Sequence, residues 1–298
     1  MKKIIGSLVL LFLLGSLFIH ADRASIPFRP HVKVFEPNQR AMIAWNGKEE
    51  ILLLTTDLKA SEPTKVLEVI PLPSEPVVKK GDIKIFQKAT SLINTKVRHR
   101  FGGPGATRTR GARGAITQLP AGEMTFQERI GAHDISVTHV LKGSGFIEWV
   151  ENYLRAEGVD NPIIAEPLKE VIEEYIEDGF DWFVFDVVSL DTEPKTNDAI
   201  QYRFKTDFLF YPLKITRTEE GSTTISLIVL TPWLLIEFPG ISIHHIGQPH
   251  PPVTINLSEL FLLSKEMAEL MEYRQHMVLR IWEIHGKLSE FTEDVIAK

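Results

Sequence analysis

Residues 260–291, LFLLSKEMAELMEYRQHMVLRIWEIHGKLSEF, decide how the C-terminal part of this chain is read. Leu260, Leu263, Met267, Leu270, Arg274, Met277, Ile281, Ile284, Leu288 and Phe291 are spaced alternately three and four apart, and only Arg274 is polar. That spacing is the apolar stripe of an amphipathic or coiled helix, about 45 Å long at 1.5 Å per residue. It predicts one long C-terminal helix over residues 257–298. Met271 and Val278 widen the stripe, and the flanking positions lack paired opposite charges. The helix is therefore expected either to lie on its own domain or to pair with a second copy or an envelope protein through Leu263, Met267, Leu270, Met277, Ile281 and Ile284. A lone buried arginine costs free energy unless paired, so Arg274 is expected at a partly exposed seam or beside a carboxylate.

The opposite end sets the compartment. MKKIIGSLVLLFLLGSLFIHA has a basic start at Lys2 and Lys3, an uncharged apolar run from Ile4 to Ile19, and a small residue at Ala21. This is the layout of a secretory signal peptide over residues 1–21. The apolar run falls just short of the about 17–25 residues that span a bilayer. Export is the expectation, with a membrane tether only if the segment stays uncleaved. No cysteine exists anywhere in the chain, which removes disulfides, lipid attachment through a cysteine and thiolate metal sites. The net charge of −6 disfavours general binding to nucleic acid or anionic lipid.

Between these ends, residues 22–256 read as a globular domain, 44 % hydrophobic and 24 % charged over the whole chain. QRAMIAWNGKEEILLLTTDL is strand, turn, strand, because Asn-Gly between apolar runs is a strong hairpin signal. VLEVIPLPS is a third strand, stopped by prolines. GDIKIFQKATSLIN starts a helix behind Asp82. HDISVTHVL alternates like a half-buried strand, and SGFIEWVENYLRAEG is an amphipathic helix that Gly158 can end. A second helix then runs into the apolar strand Trp182–Leu190, and further strands follow up to residue 231. Strands and helices cluster without regular alternation, so the expected class is α+β, with a largely antiparallel sheet, packed helices and the long C-terminal helix.

Candidates for chemistry are few. FGGPGATRTRGARGA lies in a basic loop over about residues 98–115, and an acidic stretch runs between Gly145 and Ile200 of the same chain. It lacks the lysine of a P-loop and the third glycine of a dinucleotide loop. Arg100, Arg108, Arg110 and Arg113 are its candidate contacts for an anionic ligand, or for an acidic surface of this chain or a neighbour. His244, His245 and His250 are candidate zinc or copper ligands, although no HExxH accompanies them. His133 and His139 share one strand face, but no Gly-x-Ser-x-Gly supplies a nucleophile. Glu170, Glu173, Glu174, Glu177 and Asp178 form a charged helix face that could hold calcium or an acid/base pair. No catalytic residue is assigned and no cofactor is predicted beyond a divalent metal at one of these groups.

Several segments recur together in a known order. QRAMIAWNGKEEILLL, VLEVIPLPSEPVVKKGDIKIFQ, ERIGAHDISVTHVLKGSGFIEWVENYLRAEG, YIEDGFDWFVFDV and FLFYPLKITR resemble the exported bacterial and archaeal family called domain of unknown function 2330. The resemblance spans roughly residues 34–231. It implies an exported protein with a shared fold and brings no activity, cofactor or catalytic residues. The basic loop and the C-terminal helix read as additions to that core. The functional expectation is a binding or assembly module of the cell envelope. The alternatives are a metal- or carboxylate-dependent hydrolase outside the cytoplasm and a membrane-tethered protein.

Overall fold

The computed structural model describes residues 24–29, 31–32, 34–101, 124–143, 145–160, 162–193, 195–196, 198–219 and 221–298. The signal segment, residues 1–21, therefore lies outside the described residues. β1 (Ala24–Pro27), β2 (Val34–Trp45), β3 (Glu49–Ala60), β4 (Thr64–Leu72) and β5 (Val77–Lys80) lead into helix α1 (Lys84–Phe101). β6 (Met124–Ile130) and β7 (His133–His139) precede α2 (Phe146–Ala156) and α3 (Glu166–Glu177). Next come β8 (Trp182–Leu190), β9 (Lys195–Thr196), β10 (Ile200–Lys205), β11 (Leu209–Tyr211) and β12 (Ser222–Thr231). β13 (Ile246–Gly247), β14 (Val253–Asn256), α4 (Leu257–Leu263), α5 (Lys265–Leu270), β15 (His276–Lys287) and β16 (Val295–Ala297) complete the chain.

Local chemistry explains the first hairpin. Gly47 takes φ +96°, which a residue with a Cβ adopts only at a cost. Asn46 Oδ1 accepts the N–H groups of Lys48 and Glu49, each at 2.9 Å. The turn fixes the register, so that Trp45 faces Glu50 and Ala41 faces Leu54. Odd positions of β2 (Ala41, Ile43, Trp45) then enter one core, and even positions (Met42, Ala44) enter another.

Five strands form one sheet in the order β1-β4-β8-β7-β6, and a nine-stranded sheet follows the path β13-β15-β12-β2-β3-β10-β5, with β14 on β15 and β9 on β3. β11 and β16 make a two-stranded ribbon. All pairs are antiparallel except β2 with β12. Ile43, Leu52 and Leu54 of the large sheet and Ile70, Ile135 and Val184 of the small one share the inter-sheet core. The outer face of the large sheet buries Met42, Ile51 and Leu53 against Phe86 and Ile93 of α1, Leu260 of α4 and Met267 of α5. The outer face of the small sheet buries Leu67, Val69 and Phe185 against Val150 of α2 and Val171 of α3. The molecule is a β-sandwich with a helical layer outside each sheet. Among the described residues no helix is long and apolar enough to cross a membrane.

This architecture corrects the α+β expectation: the described residues are mostly β, in three sheets. It also corrects the long C-terminal helix. Asn256 caps α4 in a reciprocal box with Glu259. Ser264, at φ −158°, ends α4, and its hydroxyl caps α5 through the Met267 N–H. Glu272 and Tyr273 then turn left-handed at φ 51° and 56°, which no helix accommodates. Arg274 is exposed in that turn. From His276 the chain is strand, antiparallel to β12 from Val278↔Thr231 to Lys287↔Ser222. Met277, Leu279 and Ile281 point to the helical layer, and Trp282 and Ile284 to the inter-sheet core. β15 buries Met277, Leu279 and Ile281 on one side and then Trp282 and Ile284 on the other, so its alternation changes phase at Ile281-Trp282 and satisfies a helical template by coincidence. Met277 and Ile281 are four apart and do share a face, whereas Ile284 points the other way.

Candidate functional site

On the central strands of the small sheet's inter-sheet face, three neighbouring polar side chains interrupt runs of apolar ones. Along β8 that face reads Val184, Asp186, Val188; along β4 it reads Ile70, Glu68, Val66; along β7 it reads Val137, Ile135, His133. Glu68 lies directly opposite Asp186. His133 pairs with Val188, one step diagonal to Asp186, and its Nδ1 sits 2.6 Å from Asp186 Oδ2. One ligating atom from each of Glu68, His133 and Asp186 falls within 4.8 Å of the others. Their exposures are 0 %, 1 % and 0 %. Two carboxyl groups and an imidazole at fully buried positions form a donor set that suits a divalent ion. Among the described residues this is the group of three with metal-ligand proximity.

Among the described residues two further carboxyl groups are buried. Glu50 Oε2 accepts the Phe210 N–H at 2.8 Å, and desolvation pushes its pKa well above the usual carboxylate range despite that bond. Asp294 Oδ1 accepts from the Tyr175 hydroxyl (2.6 Å) and from the Leu213 and Lys214 N–H groups (2.8 Å each). Burial carries its pKa from 3.8 up to about 6, against the pull of those hydrogen bonds and of Lys214. Above it opens a polar cleft of about 370 Å³ lined by Glu174, Glu177, Asp178, Lys214, Arg217, Thr292 and Glu293. Lys214 Nζ donates to Asp178 at 2.8 Å, and Arg217 pairs with Glu174. Cations of this chain thus already neutralise part of the α3 acidic face.

One end of the nine-stranded sheet is aromatic and exposed. β2 ends there at Asn46-Gly47, β12 at Thr231, and β15 begins there after Tyr273. Trp233 covers Gly47 and meets Trp45 edge-on at 5.4 Å. The Asn46 side-chain amide donates to the Leu270 carbonyl at 2.8 Å, tying the turn to α5. Beyond α5, Tyr273 stacks on Phe261 at 6.0 Å. Trp233, Phe261 and Tyr273 keep 40 %, 42 % and 49 % of their surface exposed, beside exposed Leu234 and Leu262.

A family model described as "Uncharacterized protein conserved in bacteria (DUF2330)" matches residues 26–238. The chain belongs to that family. No match was found among curated proteins. Among solved structures it is similar to baculovirus P35, at 10 % identity and a TM-score of 0.40 over 78 % of both chains. It is also similar to a mutated baculovirus P35 after caspase cleavage, at 9 % identity and a TM-score of 0.41 over 87 % of this chain and 98 % of that one. At TM-scores this low the likeness transfers neither fold nor function.

The DUF2330 chain places its sequence candidates unevenly. Of the two strand histidines, His133 joins the buried group, while His139 stacks on Trp182 at 4.3 Å further along β7. His244 is exposed in a single 3-10 turn. His245 Nδ1 lies 3.0 Å from the His285 carbonyl oxygen, and His250 is half-buried. Among the described residues these three do not form a ligating group. Arg108, Arg110 and Arg113 lie outside the described residues, as does the side chain of Arg100 at the end of α1. Leu263, Met267, Leu270, Met277, Ile281 and Ile284 are each no more than 6 % exposed and pack inside their own chain. Glu68 and Asp186 were missed. Each is a single acid inside an otherwise apolar strand, in VLEVI and FVFDVV. A lone ionisable residue in a strand buried on both faces is the signal that would have found them.

Proposed function

We propose that this DUF2330 chain is an exported binding or assembly module of the cell envelope, not a hydrolase. The observation that carries this reading is the exposed aromatic end formed by Trp233, Phe261 and Tyr273. Exposed aromatic side chains gathered at one end of a sheet suit an interaction site, and aromatic anchors dominate such contacts. Tyr273 is presented at a backbone cost, because two successive non-glycine residues in the left-handed region cost roughly 1 kcal/mol or more each. Export is supported by Lys2, Lys3, the Ile4–Ile19 run and Ala21. Against a hydrolase stands the seal around Glu68, His133 and Asp186, since a general base must reach its substrate.

The partner we assign to the aromatic end is a second copy of the chain. Light scattering across a concentration series tests it. The expected result is a concentration-dependent dimer that the double variant Trp233→Ala, Tyr273→Ala shifts to monomer with an unchanged far-ultraviolet spectrum. A wild-type chain that stays monomeric throughout, or a dimer indifferent to both substitutions, overturns the assignment.

A further inference from the structure

The buried group on β4, β7 and β8 is the densest meeting of ligating atoms in the described residues. We propose that Glu68, His133 and Asp186 form a structural zinc site that clamps these three strands together from inside the sandwich. The donor set selects the ion. Calcium takes six to eight oxygen ligands and magnesium keeps several waters, and neither need is met by one imidazole and two carboxylates in a sealed core. Zinc accepts nitrogen and oxygen at about 2.0–2.2 Å in a four-coordinate shell, which sets ligand atoms about 3.4 Å apart. The three donors already lie within 4.8 Å, so side-chain rotation closes the shell without moving strands. The second oxygen of Glu68 or Asp186, or one water, supplies the fourth ligand.

Charge points the same way. Glu68 and Asp186 project from directly opposed positions on neighbouring strands. A divalent ion matches the charge of two carboxylate ligands and takes the imidazole as a neutral nitrogen donor. The location makes the ion structural. Catalytic zinc keeps an open position for substrate, whereas this group is covered by the opposite sheet. The ion would cross-link strands contributed by residues 64–72, 133–139 and 182–190, which the sequence holds far apart.

The test uses the full untagged chain, purified with zinc present and then freed of loose metal by gel filtration. Elemental analysis should find about one zinc per chain. A chelator should remove it slowly, and adding zinc back at a hundredfold excess over its dissociation constant should raise the melting temperature by about 5 °C. His133→Gln and Glu68→Gln should lose the zinc and that increment, while His139→Gln, His245→Ala and His250→Ala should keep both. The wild-type measurement alone decides the matter if the buried variants fail to fold. A wild-type chain with no stoichiometric zinc and no response to added zinc overturns the proposal, and leaves the group as a hydrogen-bonded Asp–His pair beside a carboxyl. Zinc retained in His133→Gln, or lost in His245→Ala or His250→Ala, overturns it by placing the ion elsewhere.

Discussion

Stability should rise as the pH falls from neutrality towards about 4.5, and Asp294 should account for much of the rise. Its carboxyl is held beneath the α3 helix by Tyr175, Leu213 and Lys214, and burial lifts its pKa from 3.8 to about 6. A group whose pKa is higher in the folded state binds its proton more tightly there. Its contribution is complete below 3.8 and is lost as the pH rises through about 6. The full displacement corresponds to about 3 kcal/mol, of which about 2 kcal/mol falls between pH 4.5 and 7.5. Urea denaturation at those two pH values, on wild type and Asp294→Asn, isolates the effect. Asparagine keeps an oxygen that can accept from Tyr175 and the two backbone N–H groups, and it has no charge to lose. The variant should therefore show a pH dependence smaller by about 2 kcal/mol. Equal pH dependence in the two proteins would refute the reasoning, because contributions from other carboxyls, including Glu266 with its lowered pKa, cancel in the comparison.

Glu50 has the same sign, since burial raises its pKa. Glu50→Gln should likewise flatten the pH dependence in urea melts and should not destabilise the protein above neutral pH. Leu279→Ala in β15 should cost about 2–5 kcal/mol by chemical denaturation, whereas Leu262→Ala on the exposed side of α4 should stay within about 0.5 kcal/mol of wild type. Similar costs for both would argue against β15 as a core strand. Gly47→Ala should lose about 1–2 kcal/mol, because the turn needs φ +96° and the added Cβ would stand 3.0 Å from the Trp233 ring. An unchanged melting temperature and tryptophan emission would contradict the observed seat of Trp233.

The hairpin at Asn46-Gly47, the helices α1 to α3 and the strands β7, β8 and β12 were legible because each carries a local rule. A turn dipeptide, a capping aspartate, a left-handed glycine at 158 or 179 and a clean apolar period suffice without knowledge of the neighbours. The C-terminal segment was misread because β15 switches its buried face at Ile281-Trp282, which breaks the period of two, and two short helices before it extended the false pattern. Alternation at Met277, Leu279 and Ile281, after exposed Arg274, was the available clue. Of the buried group only His133 was singled out, and as half of a histidine pair, while the metal expectation lay on His244, His245 and His250. His133 stood out as a histidine on an apolar strand, but its partners come from β4 and β8, and only the pairing of Glu68 with Asp186 brings them together. No spacing along the chain encodes that juxtaposition.

That dependence on pairing also changes how the C-terminal residues relate to the family. The family match ends at residue 238, which invites reading the rest as an appendage. Yet β15 lies between β12 and the short strands β13 and β14, and its pairing covers β12 from Ser222 to Thr231. Without it, β12 would become an open sheet edge ten residues long, of the kind that recruits other chains. Leu279 and Ile281 would leave the outer core, and Trp282 and Ile284 the inner one. Asp294, which ties the backbone of Leu213 and Lys214 to Tyr175 of α3, would leave with them. Removing residues 258–298 therefore removes part of both cores and a buried polar anchor. A change in solution mass after that truncation would report unfolding and edge exposure. Association through the aromatic end has to be tested by point substitutions that leave β15 in place.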